Sequence, residues 1–271
     1  MPVECMVASS GWGQRSGGVP VLRDHAEYYG FRFVELSYSY TRVPEESFLR
    51  LWGVVTEELG LRWSLLVPRR ALEQRRLDWR GRRFVLRLVE RAEKYLGDAV
   101  EWYVLRVPVN IEPSGELLAG LERLIDEAGL RGRLVLEAPA WSLEALREAE
   151  RLGAVAASTD SPLGLRLLPP RGGVMPLRLL GHRLWRSGPY PPHRLLRSLR
   201  ALVGVEGLEK LYLVAATGKG SVEDATMAWL LLHHLGVCSS KPRRAPQFVE
   251  AKLYRFLGIR PSLGLVVDEE E

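Results

Sequence analysis

Short runs rich in β-branched and aromatic residues alternate along the chain with longer stretches whose apolar residues recur every three to four positions. The short runs predict strands at residues 5–9, 31–36, 62–67, 101–107, 133–137, 154–158, 176–180 and 211–215. The longer stretches predict helices at 22–29, 45–59, 84–96, 115–128, 143–152, 193–203 and 222–235. In the second of these, Phe48, Leu51, Trp52 and Val55 are expected on one buried face. Alternating strands and helices belong to a parallel barrel or a doubly wound sheet. Eight alternations in 271 residues favour α/β architecture of the single (β/α)8 TIM-barrel kind. After Gly236, Pro242 and Pro246 mark a connector to a further helix at 248–257 and an acidic end at 268–271. Phe248, Leu253 and Phe256 are expected to dock that helix, so the chain divides into a barrel (1–237) and a short C-terminal helical extension (238–271).

Charge changes the picture more than hydropathy does. The net charge is +5 and nearly all the positive charge is arginine, whose planar fork suits carboxylates and phosphates. Solvated helix faces are the alternative account of the same residues. Two cysteines, Cys5 and Cys238, form no CxxC pair and suggest no disulfide framework; Cys5 sits in an apolar run and reads as packing. No basic, apolar leader and no membrane-length apolar run is evident, so no membrane partner is expected and a cytoplasmic setting is the default.

Ala8 through Gly11, Glu27-Tyr28-Tyr29 and Val34 through Arg42 resemble motifs of the YecE-like family, also called domain of unknown function 72. Ala8-Ser9-Ser10-Gly11-Trp12 is similar to its GTSGW-like strand end. Glu27-Tyr28-Tyr29 and Val34 through Arg42 are similar to its Tyr-Tyr helix and VEINSTFYR-like strand, and Pro44 and Trp52 match the family's Pro-containing turn and Trp-bearing helix. Val67-Pro68-Arg69, Arg106-Val107-Pro108, Glu137-Ala138-Pro139-Ala140-Trp141 and Arg178-Leu179-Leu180-Gly181 are similar to later strand ends. The resemblance spans residues 4–236 and implies a TIM barrel; it implies no settled activity. Several polar strand-end positions of the family are apolar here, Leu180 and Ala215 among them.

Barrel enzymes place working residues at the C-terminal strand ends and in the loops after them. That rule selects Glu35, Glu137 and Asp160 as candidate catalytic carboxylates. It selects Trp12, Tyr38, Arg42, Arg69, Arg106, Trp141, Arg178, His182, Arg183 and Lys219 as candidate ligand or anion contacts. Glu35 and Glu137 suit an acid and base; ion pairing with Arg106 or Arg178 is the structural alternative. A divalent metal would fall to Glu35, Glu137 and Asp160, because only His182 of the histidines sits at a strand end. No GxSxG elbow is present. Thr217-Gly218-Lys219-Gly220 after the eighth strand is a candidate phosphate turn.

Two arginine-rich stretches stand out. Arg69, Arg70, Arg75, Arg76, Arg80, Arg82 and Arg83 surround Trp79 between the third strand and its helix. Arg166, Arg171, Arg178, His182, Arg183 and Arg186, with Trp185 and Tyr190, lie between the sixth strand and the helix of the seventh. Arginines interleaved with aromatics suit nucleic acid or another polyanion, with phosphodiester hydrolysis a further step; tryptophans packed inward would make the loops merely solvated. The alternatives are a small-molecule enzyme for a phosphorylated or carboxylated metabolite, and a barrel whose active site has been retired. An open basic groove points to the first reading and a compact pocket to the second.

Overall fold

The computed structural model describes residues 3–11 and 19–257; Trp12 and the acidic end at 268–271 lie outside them. The elements run β1 (Glu4–Ser9), α1 (Val19–Arg23) continuing as a π-helical stretch (Asp24–Tyr29), β2 (Phe33–Leu36), α2 (Glu46–Leu59), β3 (Arg62–Leu66), α3 (Trp79–Leu96), β4 (Val100–Arg106) and α4 (Gly115–Ala128). They continue with β5 (Leu134–Glu137), α5 (Leu143–Arg151), β6 (Val155–Ala156), β7 (Ser158–Ser161), β8 (Gly164–Arg166), β9 (Val174–Leu179), α6 (Pro192–Arg200), β10 (Lys210–Ala215), α7 (Ser221–His234) and α8 (Gln247–Leu257).

The strands form two five-stranded sheets, β1-β10-β9-β7-β8 and β2-β3-β4-β5-β6, parallel except for the β7–β8 hairpin. The predicted barrel is therefore present as two half-barrels rather than one closed ladder. At one seam Ser10 and Glu35 make an isolated parallel bridge between β1 and β2. At the other the sixth predicted strand divides: β6 pairs with β5 and β7 with β9, with Ala157 between them.

Period-two alternation sets the interior. On β4, Trp102, Val104 and Arg106 share a face; on β2, Phe33 and Glu35; on β5, Val135 and Glu137. The apolar members, with Ala8, Leu66, Tyr212 and Val214, form one buried cluster. The charged members end their strands above it. The opposite strand faces carry the two larger clusters under the helices. Helix starts are capped locally: Asp78 accepts from Gly81 N–H (2.6 Å), Ser114 from Leu117 N–H (3.2 Å) and Ser142 from Ala145 N–H (3.2 Å).

Several expectations need correction. The buried face of α2 is Leu49, Trp52, Val55 and Thr56, whereas Phe48 and Leu51 stay exposed. The Asp78 cap starts α3 five residues early, so Trp79, Arg80, Arg82 and Arg83 belong to a helix, not a loop. On α8, Val249 and Leu253 are buried and the helix meets α6 and α7, but Phe256 is exposed; the Phe248 side chain lies outside the described part. Cys5 and Cys238 are joined in a buried disulfide, beside the parallel bridge between Val3 and Cys238. That overturns the reading of Cys5 as simple packing and of the two cysteines as suggesting no disulfide. Among the described residues no helix is long and apolar enough to cross a membrane.

Candidate functional site

Strand register brings the charged ends together. Arg106 lies opposite Glu137 on β4 and β5, Glu35 opposite Ser64 on β2 and β3, and Arg178 on β9 between Thr159 and Val214. Arg178 donates to both oxygens of Glu35, Nη1 at 2.6 Å and Nη2 at 3.0 Å, and its Nε donates to Glu137. Arg106 Nη2 donates to Glu35 at 3.3 Å, and its Nε lies 3.6 Å from Glu137. Arg186 Nη2 donates to the other Glu137 oxygen at 2.5 Å. Glu35, Glu137 and Arg178 are all but sealed from solvent.

Desolvation raises a carboxyl's proton affinity, and adjacent guanidinium groups lower it. For Glu35 burial pushes up, but Arg178 and Arg106 outweigh it and hold the group below the usual range. For Glu137 burial again pushes up, and Arg186, Arg178 and Arg106 together hold it far lower. Arg106 is pushed down to about 10 by burial and by its fellow arginines, against the pull of Glu137 and Glu35, so it stays charged at neutral pH. Both glutamates are thus ionised counter-ions. Each is engaged by guanidinium groups, which is the ion-pairing alternative the sequence offered for Glu35 and Glu137. A divalent cation fits this donor set poorly, because three guanidinium groups face two carboxylates. Among the described residues no group of three His, Cys, Asp or Glu side chains is placed to hold a metal.

The cluster forms one wall of a cleft of about 640 Å³ at the C-terminal strand ends, lined by Ser10, Ser37, Arg106, Arg186, Lys219 and Ser221 among others. A smaller recess of about 240 Å³ shares Arg106 and Arg186 and adds Tyr40, Glu73, Pro108 and Trp185. Two guanidinium nitrogens are buried without a hydrogen-bond partner, Arg106 Nε and Arg186 Nη1, as is Ser37 Oγ. Buried donors are normally satisfied, so unsatisfied ones at a cleft mark where an acceptor belongs. Arg186 also holds φ at 54°, a left-handed conformation uncommon outside glycine; such strain concentrates at functional sites.

The other expected residues scatter. Tyr38 is half-buried under Arg42, whose Cζ lies 4.7 Å from its ring centroid, so these two pair with each other away from the cluster. Tyr40 takes the place expected of Tyr38: Arg106 Cζ sits 5.3 Å over its ring and its hydroxyl donates to Glu73 at 2.6 Å. Trp141 is a core residue whose Nε1 donates to Ile111 O at 2.7 Å. Arg69 and Arg183 are exposed, and Lys219 lines the cleft. Asp160 is buried away from the glutamates; burial raises its pKa, while Ser198 and the charges of His182 and Arg194 pull it down. His182 is half-buried near Tyr190, with ring centroids 6.3 Å apart. Arg186 and Tyr40 are site residues that strand-end reasoning passed over; the arginine-rich stretch contained the first and the Tyr38–Tyr40 motif the second.

Two solved proteins share this architecture closely. A DUF72 family protein from Enterococcus faecalis superposes with a TM-score of 0.64 at 12% identity, over 90% of this chain and 99% of that one. A DUF72 family protein from Thermotoga maritima gives 0.63 at 16% identity, over 85% and 99%. The fold is that of the DUF72 proteins. The resemblance carried by the first third of the sequence therefore holds at the level of fold, and the TIM-barrel-like expectation with it. A D-psicose 3-epimerase solved in the presence of D-fructose is similar at a TM-score of 0.51 and 10% identity, over 77% and 84% of the two chains. No protein-family model and no curated protein matches the chain.

Proposed function

We propose that this barrel binds a small anionic ligand, a phosphorylated or carboxylated metabolite, in the cleft walled by Arg106 and Arg186. One observation carries the reading. The buried cluster has more guanidinium than carboxylate, and its two unsatisfied N–H donors belong to the two arginines that line the cleft. The cleft volume is in the range of small-molecule sites. The glutamates hold the arginines in place and separate them; they are not the reacting groups. Calorimetric titration of the full chain with inorganic phosphate and with citrate at low salt tests this. Saturable binding that Arg186→Ala abolishes supports it, and absence of binding to both anions overturns it.

A second reading extends the site to a polyanion. Trp79 is exposed, with Arg80 and Arg83 Cζ at 5.1 and 5.9 Å from its ring, and Arg69, Arg70, Arg75 and Arg76 are exposed nearby in sequence. Among the described residues none of these six arginines forms an ion pair with a carboxylate, unlike Arg82, which holds Glu127 at 2.9 Å. Trp185 is also partly exposed, so the tryptophans are not packed inward as a merely solvated loop would have them. Oligonucleotide binding that weakens steeply with salt and is lost on replacing Arg75, Arg76 and Arg80 together would favour this reading.

A further inference from the structure

The smaller recess beside the cleft has walls of a different chemistry. Pro108 and Val109, just past β4, and Pro139, just past β5, give it apolar surface, Trp185 an aromatic one, and Tyr40 and Glu73 a polar edge. Small-molecule sites run to roughly 300–1,000 Å³, so a space of about 240 Å³ takes part of a ligand and not the whole. Val109 and Trp185 are both large apolar side chains left exposed, and a flat ring laid in the recess would cover them. The polar edge is one-sided. Neither proline has an N–H to offer, the Tyr40 hydroxyl already donates to Glu73 at 2.6 Å, and Glu137 is engaged by its arginines. Among the described residues Glu73 forms no ion pair, so its carboxylate keeps room to accept more hydrogen bonds and has none to donate.

Trp185 is joined to the anion site through its neighbour. Arg186 lines both the recess and the cleft, and its buried Nη1 has no hydrogen-bond partner. The two residues sit on one braced segment. Arg186 N–H donates to Leu180 O at 2.5 Å, Gly188 N–H to Thr217 O at 3.1 Å and Tyr190 N–H to Asp224 Oδ1 at 2.7 Å. Glycine makes the approach feasible, because a Cβ on Gly188 would stand 2.5 Å from Asp224 Oδ2. Such a clamp holds the indole and the guanidinium in a fixed relation, so a ligand meets groups that are already placed.

We propose that the ligand is a guanine nucleotide, its base stacked on Trp185 in the recess with N–H groups donating to Glu73, and its phosphate at Arg186 in the cleft. This rests on the anion-binding reading above and names the class of molecule bound. Three features select the base. An aromatic wall between prolines suits a flat ring, whereas a sugar ring would leave its hydroxyls facing apolar surface. An acceptor-only edge suits a ring that presents donors. Guanine offers two adjacent N–H groups on its Watson–Crick edge, whereas adenine sets an acceptor beside its amine, which a carboxylate repels. A cationic amine would also donate to Glu73, but Arg106 and Arg186 line the same recess and disfavour a further positive charge. A nucleoside monophosphate then carries the ring and the anion on one frame, as the adjoining recess and cleft require.

The test is calorimetry on the full chain with inorganic phosphate, ribose 5-phosphate, adenosine 5′-monophosphate and guanosine 5′-monophosphate. The guanine nucleotide binds about tenfold tighter than ribose 5-phosphate, as one stacked base allows, and about tenfold tighter than the adenine nucleotide. Trp185→Ala weakens the guanine nucleotide about tenfold and ribose 5-phosphate less than twofold. Glu73→Gln, which keeps the size of the side chain and removes its charge, narrows the preference for guanine over adenine to about twofold or less. Both side chains are exposed, so each variant is expected to fold, and a thermal melt confirms it. Equal binding of the two nucleotides, with Glu73→Gln without effect, overturns the guanine assignment. Ribose 5-phosphate as tight as the guanine nucleotide, with Trp185→Ala without effect, overturns the base recess and leaves the anion site standing. No binding of any of the four, inorganic phosphate included, removes both.

Discussion

If the four strand-end charges are a mutually neutralising set, then removing Arg178 alone must be costly. Arg178 supplies both hydrogen bonds at 2.6 and 3.0 Å to Glu35 and one to Glu137, all away from solvent. An Arg178→Met variant leaves Glu35 with Arg106 at 3.3 Å and Glu137 with Arg186 at 2.5 Å. Breaking a buried pair from one side costs about 3–5 kcal/mol, because the remaining charge keeps its desolvation penalty. At roughly 2–4 °C per kcal/mol for a chain of this size, that is a fall in Tm on the order of 10 °C. Urea unfolding at pH 7.5 measures the cost directly. Adding Glu35→Gln removes an orphaned charge, so the double variant is less destabilised than the two single variants summed, by at least about 1.5 kcal/mol. The pH dependence has a definite sign. Glu35 and Glu137 both titrate lower in the folded chain than their ordinary 4.5, so the stability they contribute is present above that value and is lost as pH falls through their folded values. Arg178→Met weakens the force that depresses them. The gap between variant and wild type must therefore narrow as pH falls below about 4.5. A cost under about 1 kcal/mol at pH 7.5, with no narrowing in acid, would refute the counter-ion account.

The frame around the cleft is open to three further tests. Burial pushes the Asp224 carboxyl up to about 6 from 3.8, against hydrogen bonds from Thr217 and Tyr190, so the folded state holds the proton more tightly. Its contribution to stability therefore declines as pH rises from about 4 through 6, by up to about 3 kcal/mol, and Asp224→Asn should gain on wild type across that interval in parallel melts; a constant difference would contradict this. The Cys5–Cys238 disulfide closes a loop with a sequence separation of 233; a loop that long stabilises by about 5 kcal/mol in the chain-entropy account, so Cys5→Ser or reduction should lower Tm by roughly 10 °C. Free thiols detected in the unreduced, denatured protein would defeat that prediction. Gly188→Ala places a methyl 2.5 Å from Asp224 Oδ2 and 2.9 Å from Thr217 Cβ. It should cost about 1–3 kcal/mol and weaken phosphate binding through displacement of Arg186, read as a larger Kd with the same heat per site. An unchanged Kd would detach the clamp from the site.

The strand ends were legible because alternation fixes direction. Reading Trp102, Val104 and Arg106 on one face of β4 and Val135 and Glu137 on one face of β5 needs nothing beyond a period of two. Arg106 and Arg178 could be named as possible partners of the glutamates, but which bond each makes was not legible, since Arg178 and Glu35 stand 143 residues apart and only register joins them. Local backbone decided the tyrosines. The turn Tyr38–Tyr40 is a single 3-10 stretch, which sends Tyr38 under Arg42 and Tyr40 over Arg106. Trp141 misled for a related reason: it lies just past a strand end, yet the carbonyl of Ile111 on the neighbouring loop draws its indole into the core. The disulfide escaped because its half-cystines lie on β1 and beyond α7, and only the bridge from Val3 to Cys238 brings them together. Arg186 depends on a left-handed backbone and a packed turn, neither of which has a local sequence signal.

The arrangement at the mouth also explains why glutamates sit among arginines at these strand ends. Arg106 and Arg178 cannot be buried side by side, with the half-buried Arg186 beside them, without anions between them, since each would face like charge in a medium that screens little. Glu35 lies between Arg106 and Arg178, and Glu137 is engaged by Arg106, Arg178 and Arg186. A third carboxylate would have balanced the charge of the cluster. With two, the cluster is one negative charge short, and Arg106 and Arg186 are the two of its arginines that line the cleft. Substitutions that fill this deficit should compete with the ligand. Changes that add a carboxylate at the cleft wall, such as Ser37→Asp, should lower anion affinity in proportion to the charge they supply, while Ser37→Asn at the same position should not. Equal losses from the two would assign Ser37 a steric role and remove the charge deficit as the basis of recognition.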